Sequence, residues 1–306
     1  MRSRPSPRWL VGAVAVVVVL VAVWAWWPGE PPVRRVTGWQ TQTDLPIPVS
    51  GALVVDDNGD VYVLNSEEIY WLPAGTFLPR RIRVPDMKHA SALALGPAHE
   101  IDVIDYPQGR VWQIAADRTT ITDLPFPVLA DPGPAGTGHS FDAAVAVDRA
   151  GTVYVTDTDN ARILRLPKGS AAPEVLAHVA DLRAPIAVSD AGDVMVTVAN
   201  PAQALLTFRG GGGPAVTTPI PDLTLVQALA FDHRGTLLLG VNHSDPDPPF
   251  ERVASLWEIA PGTTTPTRLP YTDLGLLESV TFDSNGTIYY TEDHRSGRVV
   301  RLAPVR

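Results

Sequence analysis

Residues 143–166 read AAVAVDRAGTVYVTDTDNARILRL. A short apolar run ends at Asp148, and a turn follows at Gly151, where positive φ costs little. Val153-Tyr154-Val155 is rich in the β-branched and aromatic residues that suit a pleated, half-buried surface. Asp157 to Asn160 supplies side chains that close turns on their own backbone, and Ile163-Leu164-Arg165-Leu166 reads as a further strand. The stretch predicts a three-stranded antiparallel meander.

Aligning on the turn residue finds five more copies: VVDDNGDVYVLN at Gly59, ALGPAHEIDVID at His99, AVSDAGDVMVTV at Gly192, AFDHRGTLLLGV at Gly235 and TFDSNGTIYYTE at Gly286. The third strand aligns as well, as IYWL, VWQI, ILRL, LLTF, LWEI and VVRL. Its first column is aliphatic throughout (Ile69, Val111, Ile163, Leu205, Leu256, Val299) and its fourth is apolar throughout (Leu72, Ile114, Leu166, Phe208, Ile259, Leu302). The second column is bulky or aliphatic too, as a sheet covered on both faces requires. The turn residues fall 40 to 52 positions apart. Repeats of roughly 40–50 residues, each with about four strands, are the sequence sign of a β-propeller. The reading is therefore an all-β, six-bladed propeller over residues 36–306.

After Leu302 only four residues remain, so the sixth blade has no outer strand of its own. Residues 36–48, VTGWQTQTDLPIP, can supply it: TDLPIPV (43–49) resembles TDLPFPV (122–128), which lies where blade two needs its outer strand. The N-terminal strand would then close the ring and leave no open sheet edge in the gap.

Residues 9–27, WLVGAVAVVVVLVAVWAWW, are uncharged and almost wholly apolar. As a helix they span about 28 Å, near the hydrocarbon thickness of a bilayer. Trp9, Trp24, Trp26 and Trp27 mark both ends, where indoles favour the interface. The segment predicts one transmembrane signal-anchor helix. Arg2, Arg4 and Arg8 in residues 1–8 place that short basic end in the cytoplasm and the propeller outside it. A cleaved signal peptide is the competing reading; the length of the apolar stretch and the lack of a small-x-small site before the Trp cluster weigh against it. Residues 28–35, PGEPPVRR, read as a stiff, Pro-rich linker.

Composition narrows the function. The formal charge is −9, although residues 1–35 hold five Arg and one Glu, so the acidity belongs to the propeller. A domain that acidic is a poor partner for nucleic acid, whose affinity rests on neutralising phosphates. The chain has no Cys, which excludes disulfides, thiolate catalysis and Cys-zinc sites.

Two loops are longer than the repeat needs: 130–141 (ADPGPAGTGHSF) and 241–255 (VNHSDPDPPFERVAS). The first joins an outer strand to the next inner strand, and the second joins a second strand to a third. In a four-stranded meander both kinds of connection lie on one face of the disc. Loops on a rigid scaffold commonly carry binding function, so this face is the expected site.

The copy at 143–166 resembles an NHL repeat in its Ala-Val-Asp, Gly-x-Val-Tyr-Val-x-Asp and Asn-x-Arg-Ile elements. Blade four departs from the pattern with Val198 where the Asp would stand, and blade two with His99 for the turn Gly. The resemblance implies a six-bladed domain of the kind found outside the membrane in bacterial receptor kinases, although this chain has no kinase domain. It points to a non-catalytic module that binds an unknown protein or small-molecule ligand and uses no cofactor.

The candidate binding residues are Asn65, Asp105, Asp157 and Glu292, which end their second strands, together with His139, His243, Asp245 and Asp247 in the two long loops. Turn closure by Asn and Asp is the favoured account of the first group, because the repeat itself demands such residues. Oxygen ligands at alternate positions of 243–251 could chelate calcium, but three prolines intervene. GHSFD lacks the final Gly of a nucleophile elbow. The alternative is a metal-dependent lactonase-like hydrolase, because the chain is also similar, more weakly, to SMP-30/gluconolactonase propellers. That similarity would put a divalent cation such as calcium among Glu278, Glu292 and Asp293, and it lacks the Glu expected in blade one.

Overall fold

The structure, a computed structural model, describes residues 33–36, 40–48, 51–65, 67–105, 108–127, 129, 143–199, 203–221, 223, 225–244, 252–271, 274–292 and 297–304. The predicted membrane segment 9–27 lies outside them, as do loop 130–141 and residues 245–251 with His139, Asp245 and Asp247, and Asp293. Among the described residues no helix is long and apolar enough to cross a membrane.

The turn chemistry repeats. Asp56, Asp148, Asp232 and Asp283 each accept, through Oδ1, the backbone N–H groups two and four residues on, at 2.7–2.9 Å. Each of these carboxylates thus builds the tight hairpin between the first and second strands. Gly151 takes φ +82°, and His99 holds the equivalent place at φ +61° with its Nδ1 3.4 Å from Asp56 of the neighbouring blade.

Second strands such as Ile101–Asp105, Val153–Asp157 and Ile288–Glu292 are buried along their whole length. The core is accordingly divided. Six clusters of buried apolar residues each sit between neighbouring blades: Tyr62 and Ile101 meet between blades one and two, Tyr289 and Val61 between six and one.

Five sheets are sequential four-stranded antiparallel meanders. Their first strands, Leu53–Val55, Ala90–Leu95, Ala143–Val147, Leu182–Val188 and Val226–Phe231, contact one another in order round the axis. Leu277–Phe282 of blade six closes that circle against Leu53–Val55. The molecule is a six-bladed β-propeller. Hairpins between second and third strands, and crossings from blade to blade, form one face, here the loop face. The Asp-built hairpins form the other, the turn face.

The sixth sheet holds five strands. Gln40–Asp44 pairs with Val299–Pro304, from Gln40↔Pro304 to Asp44↔Val300. Arg298 Nη2 reaches Asp44 Oδ1 at 2.6 Å across that junction. Val33–Val36 then adds outside Gln40–Asp44, so the linker read at 28–35 is paired backbone from Val33 onward. The reason is physical: an outer strand at the closure leaves a row of unpaired N–H and C=O groups, and a short β-branched stretch beside it satisfies them. Blade five departs from expectation in the same sense. Leu237–Ser244 and Arg252–Ile259 pair down to Ser244↔Arg252, so about half of the loop read at 241–255 continues the ladder.

Candidate functional site: the loop-face mouth

The carboxylates that end the second strands hold loops in place. Asp105 is fully buried and accepts the backbone N–H of Lys88 at 3.2 Å and of His89 at 3.2 Å, which fixes the crossing into blade two. Asp157 accepts from Asn160 Nδ2 at 2.9 Å and Arg162 Nε at 2.7 Å inside its own hairpin. Glu292 takes the N–H of Gly275 at 3.3 Å and lies 3.2 Å from Arg298 Nη1. Asn65 pairs with Glu68 at the hairpin end. His243 Nε2 sits 2.6 Å from Ser255 Oγ, and burial, then the Arg268 guanidinium, pushes its imidazole below the ordinary value. The side chains of Asp105, Asp157, Glu292 and His243 are thus each engaged by groups of their own blade or of the loop entering it. Among the described residues no group of three or more His, Asp or Glu could hold a metal ion.

A different set faces the axis. Four first strands carry a β-bulge at their loop-face end, where the register skips from Ala90 to Ala92, Leu182 to Ile186, Val226 to Ala228 and Leu277 to Ser279. A bulge sets an extra residue against one partner and re-aims its side chain, a device common beside functional sites. The skip releases Ser91, Gln227 and Glu278 singly and, in blade four, the longer run Arg183-Ala184-Pro185, of which Arg183 is the exposed member. Ser91, Arg183, Gln227 and Glu278 all line the central cavity. Ser91, Arg183 and Gln227 are exposed while the strand residues flanking them are buried or half-buried. Arg183, Gln227 and Glu278 stand on three successive blades and form a polar arc. Eight positions before their turn residues, blades one, two and three carry the small residues Gly51, Ser91 and Ala143, of which Ser91 and Ala143 line the cavity.

Below this mouth lies a chamber of about 660 Å³ walled by small side chains such as Ala92, Ala94, Ala144, Ala146, Ala187 and Ala228. The size suits a small molecule, and the surface that the lining exposes is more polar than apolar. At the far end, on the turn face, side chains engage one another. Arg149 lies 3.5 Å from Asp190, and His233 lies 3.6 Å from both Asp190 and Asp57. That string crosses blades three, four, five and one, and it opposes the open loop-face mouth.

Ser91, Arg183 and Gln227 were not singled out in the sequence. The signal was present as an apolar–polar–small run opening the first strands: ASA, LRA, VQA and LES.

No protein-family model and no curated protein matches the sequence. Solved structures do. A gluconolactonase from Xanthomonas campestris matches with TM-score 0.64 and 11% identity over 90% of this chain and 95% of that one. A calcium-binding protein, regucalcin, from Agrobacterium tumefaciens matches with TM-score 0.60 and 13% identity over 85% and 91%. The nidogen/laminin complex contributes a chain with TM-score 0.59 and 14% identity over 80% and 98%. At such identities the likeness shows the fold alone, and the three descriptions name different functions.

A divalent cation does not fit the described residues. Calcium takes six to eight oxygen ligands, several of them carboxylate. The mouth offers the Glu278 carboxylate beside the Gln227 amide, and the Arg183 guanidinium two blades away opposes a second positive charge. Glu292, the second expected ligand, is engaged by Arg298.

Proposed function

We propose that this chain is a membrane-anchored, extracytoplasmic propeller that binds, without turning over, a small ligand bearing both a negative and a positive group. The observation that carries this reading is the bulge-aimed arc. Arg183 offers a planar donor fork for a carboxylate or phosphate, Glu278 an acceptor for an ammonium, and Gln227 between them can bond either. The chamber beneath takes the rest of the ligand. The arc contains neither a nucleophile paired with a base nor a set of carboxylates that could hold an ion, so its chemistry is that of recognition. The anchor follows from residues 9–27, and the orientation from Arg2, Arg4 and Arg8.

The test is a thermal-shift titration of the full chain with zwitterionic small molecules, amino acids and phosphoethanolamine among them. Binding should raise Tm, by the equivalent of about 2.7 kcal/mol at a hundredfold excess over Kd. Arg183→Ala and Glu278→Ala should each weaken it at least tenfold.

The hydrolase reading keeps one supporting observation, the placement of Glu278 at the mouth of a fold that the gluconolactonase shares. Calcium-dependent lactone turnover that disappears in Glu278→Gln would establish it in place of the binding reading.

A further inference from the structure

The fifth strand of blade six decides which face the anchor leaves from. Val299–Pro304 runs from the loop face to the turn face, because it follows the loop-face hairpin after Glu292. Gln40–Asp44 is antiparallel to it and runs back, with Asp44 beside Val300 and Gln40 beside Pro304. A chain entering directly at Gln40 would come from the turn face. Val33–Val36 reverses this: it pairs antiparallel with Gln40–Asp44, Val33 opposite Thr43 and Val36 opposite Gln40. The chain before Val33 therefore leaves the sheet toward the loop face, where Ser91, Arg183, Gln227 and Glu278 open.

Six Cα steps separate Trp27, the end of the apolar segment, from Val33. Fully extended they reach about 20 Å. Pro28, Pro31 and Pro32 keep the connection stiff. Turning the opposite face to the bilayer would oblige the connection to retrace a five-residue strand, about 17 Å, before it gained any distance toward the membrane. Almost none of its reach would be left.

We infer that the loop face is the bilayer-facing side of the disc, so that the central chamber opens onto the membrane surface and is filled from the narrow gap beside it. The inference rests on the anchor reading proposed above. It adds to the anchor a side of the disc that faces the bilayer and a source for the ligand: species held at that surface reach the mouth directly.

The experiment uses the full chain in lipid vesicles. Because the chain has no Cys, one can be introduced cleanly at exposed Ala180 on the loop face or at exposed Ala191 on the turn face. Both lie at blade four, away from the tethered blade six, so a disc standing on its rim would hold the two labels equally far from the lipid. A fluorophore on each cysteine is read by energy transfer to an acceptor on lipid head groups. The expected result is transfer at least twofold higher from Ala180→Cys than from Ala191→Cys. Equal or reversed transfer in vesicle-bound protein overturns the orientation and leaves the anchor standing. Failure of the full chain to float with vesicles overturns the anchor and the orientation together.

Discussion

Two rings of polar residues share the loop face, and they do opposite work. The outer ring, Asp105, Asp157 and Glu292, ends the second strands, is buried, and is hydrogen-bonded to the loops around it. The inner ring, Ser91, Arg183, Gln227 and Glu278, stands on bulges and turns toward the chamber. The outer ring makes the disc; the inner ring is what the disc presents. The difference teaches that a carboxylate repeated in register is first a building part, and that function is better sought where the register slips.

Arg298→Ala should be the most damaging single change. It leaves the buried Glu292 carboxylate without its cation and frees Asp44 on the closing strand. Breaking such a pair costs about 3–5 kcal/mol. Denaturant unfolding should show the loss, and a change under 1 kcal/mol would mean that the outer ring does not hold the closure.

Asp102 tests the same distinction by pH. It sits three residues before Asp105 on one strand and is equally buried, yet Gln113 Nε2 bonds one oxygen at 2.9 Å and the other has no partner among the described residues. Burial pushes its carboxyl up to about 7, with the charge of Glu100 adding to the rise. The folded chain keeps this proton where the unfolded chain releases it, so stability is greatest below about pH 4 from this group and falls as pH rises to 7. Asp102→Asn should remove that slope, on the order of 3 kcal/mol over the window. Unfolding measured at pH 5 and pH 8 checks it; an unchanged slope would move the burden to another group.

Asp105→Ala strips the acceptor from two backbone N–H groups and should cost about 2 kcal/mol, read as a lowered Tm with no change in ligand affinity. Gln227→Ala should do the reverse. Exposed and bulge-borne, it should leave stability within about 0.5 kcal/mol while weakening ligand capture. A variant of either ring that behaved like the other would dissolve the comparison.

Much of the disc was legible. Asp148 and Gly151 specify a hairpin by local bonding, and the two apolar columns of the third strand follow from burial on both faces, so neither depends on distant residues. The closure was legible because residues 43–49 copy 122–128. The bulges were not. A skipped register breaks the period of two on which strand reading depends, so Arg183 and Gln227 look like ordinary solvent-facing positions. His243 misled for a related reason: among Asp and Pro it reads as loop, yet opposite Val253 it is a ladder residue. Val33–Arg35, behind two prolines, reads as linker until a partner strand is known. In each case the deciding partner lies elsewhere in the chain.

The closure also sets a timetable for synthesis. Five sheets are made from consecutive segments, and each can form soon after it emerges. The sixth must wait, because Asp44 meets Arg298 across 254 positions. At about 5–20 residues per second, that interval is on the order of ten seconds or more. Throughout it Gln40–Asp44 lacks its partner Val299–Pro304, and the last hairpin to be made is the one that receives it.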